Sequence, residues 1–224
     1  MRFGIHFRMA LLMRKQMAEN GVNLDGVSFL LGNLAPDMSF SYIFRRHTRI
    51  VSLPHLNKQI KSLYKEGINP YSLKFSWHLG VMSHYVCDFL CYPHTMAYNG
   101  NTAGHLYYEV RQSVKGSDML PFEKPDNRGL DAIRLGIALD RFIEKRERHG
   151  LLKNGKEYNE VPAAMQIAVW ASSGVFFHAL LAAESGPAIP ATPPLRFRAV
   201  PPGIGFENRG GRFLSFLRPR RAGL

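Results

Sequence analysis

The sequence predicts an all-α protein: a single multi-helix bundle with a multinuclear metal site between helices and a disordered C-terminal tail. Apolar residues recur at helical spacing in most segments between glycine and proline breaks, and no segment shows the strict alternation of a half-buried strand. At 224 residues, 46% of them hydrophobic and 21% charged, the chain can bury one sizeable core. We therefore expect a helical domain over residues 1–185 and a tail over residues 186–224.

Seven helices are expected, each ending near a glycine, asparagine or proline. Their predicted ranges are 6–20, 24–31, 52–66, 71–91, 103–115, 129–148 and 161–184. Residues 33–37 are expected to form a loop, because Pro36 disfavours a helical conformation at Ala35. Pro93 is expected to end the fourth helix.

The last predicted helix is apolar enough to raise the question of a membrane span. Residues 163–183 are about as long as a bilayer requires. They also contain Gln166, Ser172, Ser173 and His178, which a lipid-facing helix rarely carries. We therefore interpret this segment as a central, mostly buried helix of the bundle.

The positive charge of the chain is concentrated in the predicted tail. The formal net charge is +12, and residues 186–224 hold seven arginines against one glutamate, together with seven of the fourteen prolines. Such a segment buries too little apolar surface to offset the entropy of ordering, so we expect disorder. It could contact anionic lipid or nucleic acid, and the half of the net positive charge that it holds says nothing about the folded domain.

The N-terminus and the two cysteines bear on where the protein works. No apolar stretch typical of a secretory signal follows Met1. Cys87 and Cys91 do not form a disulfide framework, and we interpret them as small buried apolar groups. We expect a cytoplasmic protein, with peripheral attachment to the inner face of a membrane as the alternative.

Three histidines and two acids between residues 84 and 109 carry the chemistry. His84 and Asp88 are four residues apart, so both side chains leave the same face of a helix, and His105 and Glu109 repeat this spacing. His94 follows a proline between the two pairs. Imidazole and carboxylate groups together suit zinc and neighbouring first-row metals. Two such pairs with a histidine between them predict a metal centre.

This arrangement resembles the zinc-dependent phospholipase C family, whose fold is shared with certain single-strand nucleases. The resemblance covers roughly residues 1–180 and includes the family's HxxxD, a following Pro–His and HxxxE. Residues 32–37, Gly-Asn-Leu-Ala-Pro-Asp, are similar to a second element of the family. His47 stands where that element's partner histidine is expected, and His6 resembles the histidine of the first helix.

The resemblance implies a cluster of two or three zinc ions in a cleft between helices. One ion would be held by Asp37, His47, His84 and Asp88, a second by His94, His105 and Glu109, and a third by His6 with a shared Asp88. The resemblance also implies that Asp37 acts as general base as well as ligand.

The remaining histidines are interpreted as structural. His78 lies six residues before His84 and therefore off the ligand face. His149 ends a charged helix, where a cation offsets the helix dipole, and His178 is expected to be a core histidine. His55 is the rival of His47 as a ligand.

The predicted function is zinc-dependent hydrolysis of a phospholipid or a related phosphate ester, with a metal-activated water as the nucleophile. Tyr42 and Phe44, which follow Asp37, could contact lipid. One alternative is a single-strand nuclease or nucleotidase, although nucleic acid is the less favoured partner. Another is a metal-binding protein without turnover. A phosphohydrolase with an adjacent His–Asp pair is disfavoured, because the chain has no such pair.

Overall fold

The computed structural model describes residues 3–38, 48–65, 68–95, 98, 100–111, 130–148 and 161–185. Over these ranges the chain forms α-helices and one short 3-10 turn, with no strand, which confirms the predicted all-α class. The helices are α1 (Phe3–Glu19), α2 (Gly26–Met38), α3 (Arg49–Leu63), α4 (Leu73–Phe89), α5 (Thr102–Arg111), α6 (Ala132–Arg148) and α7 (Val161–Ser185). The predicted tail lies outside the described residues, so its disorder stays a prediction.

Helix α4 is the centre of the bundle. It packs most extensively against α2 and also contacts α7 and α3, while α1 packs against α2 and α7. The helix begins where the side chain of Ser72 accepts a hydrogen bond from the backbone N–H of Phe75 at 3.1 Å. From Leu79 to Phe89 every side chain is buried. Polar residues on this part of α4 therefore need partners inside the protein.

Helices α2 and α4 cross with their backbones in direct contact. A Cβ atom added to Gly32 would overlap the carbonyl oxygen of Trp77, and one added to Gly80 would overlap the carbonyl oxygen of Phe29 and lie 2.7 Å from the backbone nitrogen of Asn33. Only glycine permits such an approach, since it has no Cβ. The crossing brings the C-terminal turns of the two helices together.

Proline affects two predicted boundaries, of which the first is wrong and the second is shifted by two residues. Residues 33–37 are not a loop, because α2 continues through Pro36 to Met38. Pro36 falls in the last turn, where the missing N–H removes one helical hydrogen bond, and close packing against α4 outweighs that local cost. Helix α4 ends at Phe89, before Pro93, which lies in the 3-10 turn Tyr92–His94.

Helix α7 is a core helix of this bundle. Residues Val161–Glu184 are long and apolar enough to cross a membrane, but 72% of their most apolar window is buried inside the protein. The hydroxyl groups of Ser172 and Ser83 lie 2.9 Å apart at its contact with α4. Cys87 is buried beside the same helix, and among the described residues neither it nor Cys91 forms a disulfide, in keeping with their expected role as small buried groups.

Candidate metal centre

Helices α1, α2 and α4 each contribute one side chain to a first cluster of possible metal ligands. One ligand atom from each of His6, Asp37 and His84 lies within 4.8 Å of the others. Nε2 of His84 is 3.7 Å from a carboxylate oxygen of Asp37. The rings of His6 and His84 are stacked, with their centroids 4.0 Å apart. The close packing of α1 and α4 against α2 therefore assembles this triad.

Asn33, one turn before Asp37 on α2, positions both histidines of the first triad. Its backbone carbonyl oxygen accepts a hydrogen bond of 2.8 Å from Nδ1 of His84, which leaves Nε2 directed at the two carboxylates. With the amide turned so that both its atoms find partners, Asn33 donates to the carbonyl oxygen of His6 and accepts from the backbone N–H of His84, each at 3.3 Å. This fully buried side chain thus connects three helices at the site.

A second triad is formed by the 3-10 turn and helix α5. Nε2 of His94 lies 3.4 Å from a carboxylate oxygen of Glu109, and Nε2 of His105 lies 2.9 Å from the same oxygen. His105 and Glu109 share one face of α5, as their spacing predicts. The 3-10 turn places His94 opposite them, because Tyr92 and Pro93 change the chain direction after α4.

The carboxylate of Asp88 lies between the two triads. One oxygen is 3.0 Å from Nε2 of His6 and 3.8 Å from Nε2 of His94, and the other oxygen is 3.1 Å from Nε2 of His84. Asp88 is fully buried on α4. A carboxylate in this position can contact an ion in either triad.

Burial and mutual contact give these groups the protonation states that ligands require. Burial, together with the neighbouring His84, lowers the pKa of His6 from 6.5 to about 3, and burial lowers the pKa of His94. Burial alone would raise the pKa of Asp88, but electrostatic interaction with the basic groups around it, including the nearby histidines, holds it well below its usual range. Burial also opposes ionisation of Glu109, yet hydrogen bonds from His105 and His94 lower its pKa. Neutral imidazoles and ionised carboxylates are the forms that bind zinc.

The spacing of the donor atoms fits zinc. Tetrahedral coordination with bonds of about 2.1 Å places neighbouring ligand atoms roughly 3.4 Å apart. The nitrogen-to-oxygen distances in the two triads run from 2.9 to 3.7 Å. Among the described residues, Nδ1 of His6 finds no hydrogen-bond partner, and Nε2 of the same ring lies 3.0 Å from the carboxylate of Asp88.

The structure brings seven of the eight predicted ligands together and groups them differently from the predicted sets. His6 joins Asp37 and His84 in one triad, because α1 packs beside α2 and stacks His6 on His84. The predicted set of His94, His105 and Glu109 forms the other triad. His47 lies outside the described residues, so its role as a ligand stays a prediction.

The other histidines have partners away from the two triads. Nδ1 of His78 is 2.8 Å from the side-chain oxygen of Gln59. His55 packs edge-on against Tyr85, with ring centroids 5.4 Å apart. His178 packs against Tyr64, and His149 lies outside the described ranges.

Sequence reasoning missed the positioning roles of Asn33 and Gly80. The sequence does indicate a role for Asn33, since it precedes Asp37 by four residues and the two would share one face of a helix. The prediction of a loop over residues 33–37 hid this shared face. Gly80 lies inside a helix four residues before His84. A helix-interior glycine often marks a close backbone approach, and it does so here.

The centre is reached from solvent at one residue of each triad. Asp37 has 20% of its side chain exposed and His105 has 31%, whereas His6, His84 and Asp88 are fully buried. A water molecule or a substrate can therefore approach the cluster at Asp37 and at His105.

Comparison with known protein families accounts for this set of residues. The family model for zinc-dependent phospholipase C matches residues 5–149, a range that contains all eight predicted ligands and helices α2 to α6. Neither the curated proteins nor the solved structures gave a match. The match spans well over half of the 224 residues. The chain belongs to the zinc-dependent phospholipase C family.

Proposed function

We propose that the protein hydrolyses the phosphate ester of a phospholipid in a zinc-dependent reaction of the phospholipase C type. The observation that carries this proposal is the position of Asp88, a buried carboxylate between two histidine–carboxylate triads. Family membership supports a phospholipase-like function at the coarse level. The substrate and the roles of individual residues are our inference.

In this proposal the two triads would hold separate zinc ions, and the carboxylate of Asp88 lies within reach of both triads. His6, Asp37 and His84 would hold one ion, and the second triad would hold the other. Bound zinc supplies positive charge that neutralises phosphoryl oxygens and lowers the pKa of water toward about 7. The protein itself contributes a buried and preorganised site, because Asn33 and Asp88 hold the imidazoles of His84 and His6 in fixed orientations.

Asp37 is the residue that we assign to proton transfer. It is the partly exposed member of the first triad, with 20% of its side chain accessible, although one of its carboxylate oxygens is buried. In the reaction a water oxygen forms a bond to phosphorus while Asp37 accepts a proton from that water. The bond between phosphorus and the glycerol oxygen breaks, and a proton restores the leaving oxygen to a hydroxyl group. The products are diacylglycerol and a phosphorylated head group.

The test measures zinc content and hydrolysis in parallel on the purified protein. Phospholipids with different head groups are assayed for release of diacylglycerol, with single-stranded DNA as the competing substrate. Asp37→Asn is expected to lower turnover about 100-fold or more, as loss of a general base does. Asp140→Asn is the matched control, since Asp140 pairs with Arg49 on α3 and is not among the ligands of either triad.

The outcomes separate the proposal from its alternatives. Diacylglycerol release that requires zinc and Asp37 supports the proposal. Cleavage of DNA but not of phospholipid would favour the nuclease. Zinc bound in both triads without hydrolysis of any phosphate ester would favour a metal-binding protein without turnover.

A further inference from the structure

Helix α1 presents a row of large apolar side chains to solvent on a face that does not carry His6. Phe3, Phe7 and Leu11 are spaced four residues apart, and all three are exposed. Helical geometry places such residues one above the other along the helix. Arg14 continues the row by one turn, and its guanidinium lies against Gly26 at the start of α2. The row therefore lies on the flank of α1 that faces α2.

Helix α2 adds a second exposed apolar row beside the first. Its members, Val27, Leu31 and Met38, lie on one side of the helix. The two helices run in opposite directions, because Arg14 meets Gly26 near one end and His6 lies near Asn33 toward the other. We call these two rows the α1–α2 face. Its six large side chains are 39 to 60% exposed. Exposed apolar patches of this kind on soluble monomers often mark a binding surface.

The charges on the α1 side of this face are mainly positive. Arg8, Arg14 and Lys15 are exposed on α1, whose one acidic residue, Glu19, lies 4.0 Å from Lys15. Asp25, directly before α2, accepts a hydrogen bond from the backbone N–H of Ser28. Helix α2 carries a single charged residue, Asp37, which belongs to the metal centre. Apolar side chains bordered by basic residues are typical of surfaces that bind anionic lipid.

We propose that the α1–α2 face docks on an anionic lipid surface. This inference rests on the proposed function, because it explains how a buried centre would meet a phospholipid. The same two helices carry His6 and Asp37 of the first triad, and exposed Met38 follows Asp37 directly. Lipid bound along this face thus lies beside the partly exposed side chain of Asp37.

The test is flotation of the full chain with vesicles of phosphatidylcholine alone and with vesicles containing one-third phosphatidylglycerol. The test variant is Phe7→Ser/Leu11→Ser/Leu31→Ser. The matched control is Leu73→Ser/Ile133→Ser/Ile137→Ser, which replaces three exposed apolar residues elsewhere on the bundle. We expect the test variant to lose at least tenfold in binding to anionic vesicles, since each half-exposed side chain contributes about fivefold. The control should bind as the original protein does.

Two further readouts identify the occupant and separate this inference from the proposed function. Arg14→Gln/Lys15→Gln should weaken anionic binding by about fivefold per charge. The Phe7/Leu11/Leu31 variant should retain hydrolysis of a water-soluble short-chain phospholipid. Flotation needs no catalysis, so docking can succeed while the proposed activity fails. Equal binding by test and control variants, equal binding to neutral and anionic vesicles, or a dimer that depends on this face would each overturn the inference.

Discussion

The glycine crossing between α2 and α4 makes a quantitative prediction about the candidate metal centre. In Gly80→Ala the new Cβ would overlap the carbonyl oxygen of Phe29 and lie 2.7 Å from the backbone nitrogen of Asn33. Ordinary contact begins near about 3.4 Å, so relieving the overlap with the Phe29 carbonyl oxygen requires the two helices to separate by more than an ångström. Overpacking of this kind costs about 1–3 kcal/mol and occasionally more, while alanine returns up to about 1 kcal/mol of helix propensity. We expect a net loss of about 2 kcal/mol.

Urea denaturation of the metal-free protein measures this loss, and zinc titration measures its consequence for the site. The separation would lengthen the 2.8 Å hydrogen bond between Asn33 and His84, so zinc affinity should fall as well. Gly4→Ala is the matched control, because Gly4 also lies in a helix and a Cβ there meets nothing within 4 Å. Its stability should stay level or rise. Equal effects of the two substitutions would refute the argument that backbone contact at Gly80 positions the ligands.

Three other predictions concern buried and paired polar groups. Asn33→Leu should lower the free energy of unfolding by about 1–2 kcal/mol and weaken zinc binding, because the buried amide that connects α1, α2 and α4 is lost. An unchanged zinc affinity would contradict the positioning role of Asn33. In chelator, the metal-free protein should lose stability as pH falls below 6.5, because the unfolded chain protonates His6 there while the folded chain, with a pKa of about 3, does not. The slope from this residue is up to about 1.4 kcal/mol per pH unit, and urea midpoints that stay constant between pH 7 and 5 would contradict it. Asp140→Asn should lower the free energy of unfolding by no more than about 1 kcal/mol, since its pair with Arg49 is only partly buried. A double-mutant cycle with Arg49→Gln measures the coupling energy of the pair. A coupling of about 3 kcal/mol or more, the order found for buried pairs, would show the pair to be structurally essential.

Helix positions could be predicted from the sequence where local pattern and packing agree. The apolar spacing of α1, α4 and α7 matches their buried faces, so these helices were predicted within a few residues of their ends. The C-terminal turn of α2 was not predicted, because the local effect of Pro36 opposes a helix and tertiary contact at Gly32 and Gly80 outweighs it. No single-sequence pattern reports that contact.

Candidate ligands four residues apart on one helix could be paired from the sequence, whereas the association of His6 with His84 could not. His84 with Asp88 and His105 with Glu109 share helix faces, and spacing alone indicates this. The association of His6 with His84 depends on how α1 packs beside α2, over a separation of 78 positions in the chain. Such a contact depends on how the helices pack, and no pattern of neighbouring residues in the sequence predicts it.

The most direct test of the central claim is the zinc content of the purified protein by elemental analysis, with a His84→Ala/Glu109→Ala variant alongside. Each substitution removes one ligand from one triad. We predict at least two zinc ions per chain in the original protein and almost none in the variant, with both proteins helical by circular dichroism. Original protein that is folded and free of metal, even after incubation with zinc, would contradict the account, and the histidine–carboxylate contacts would then be core hydrogen bonds.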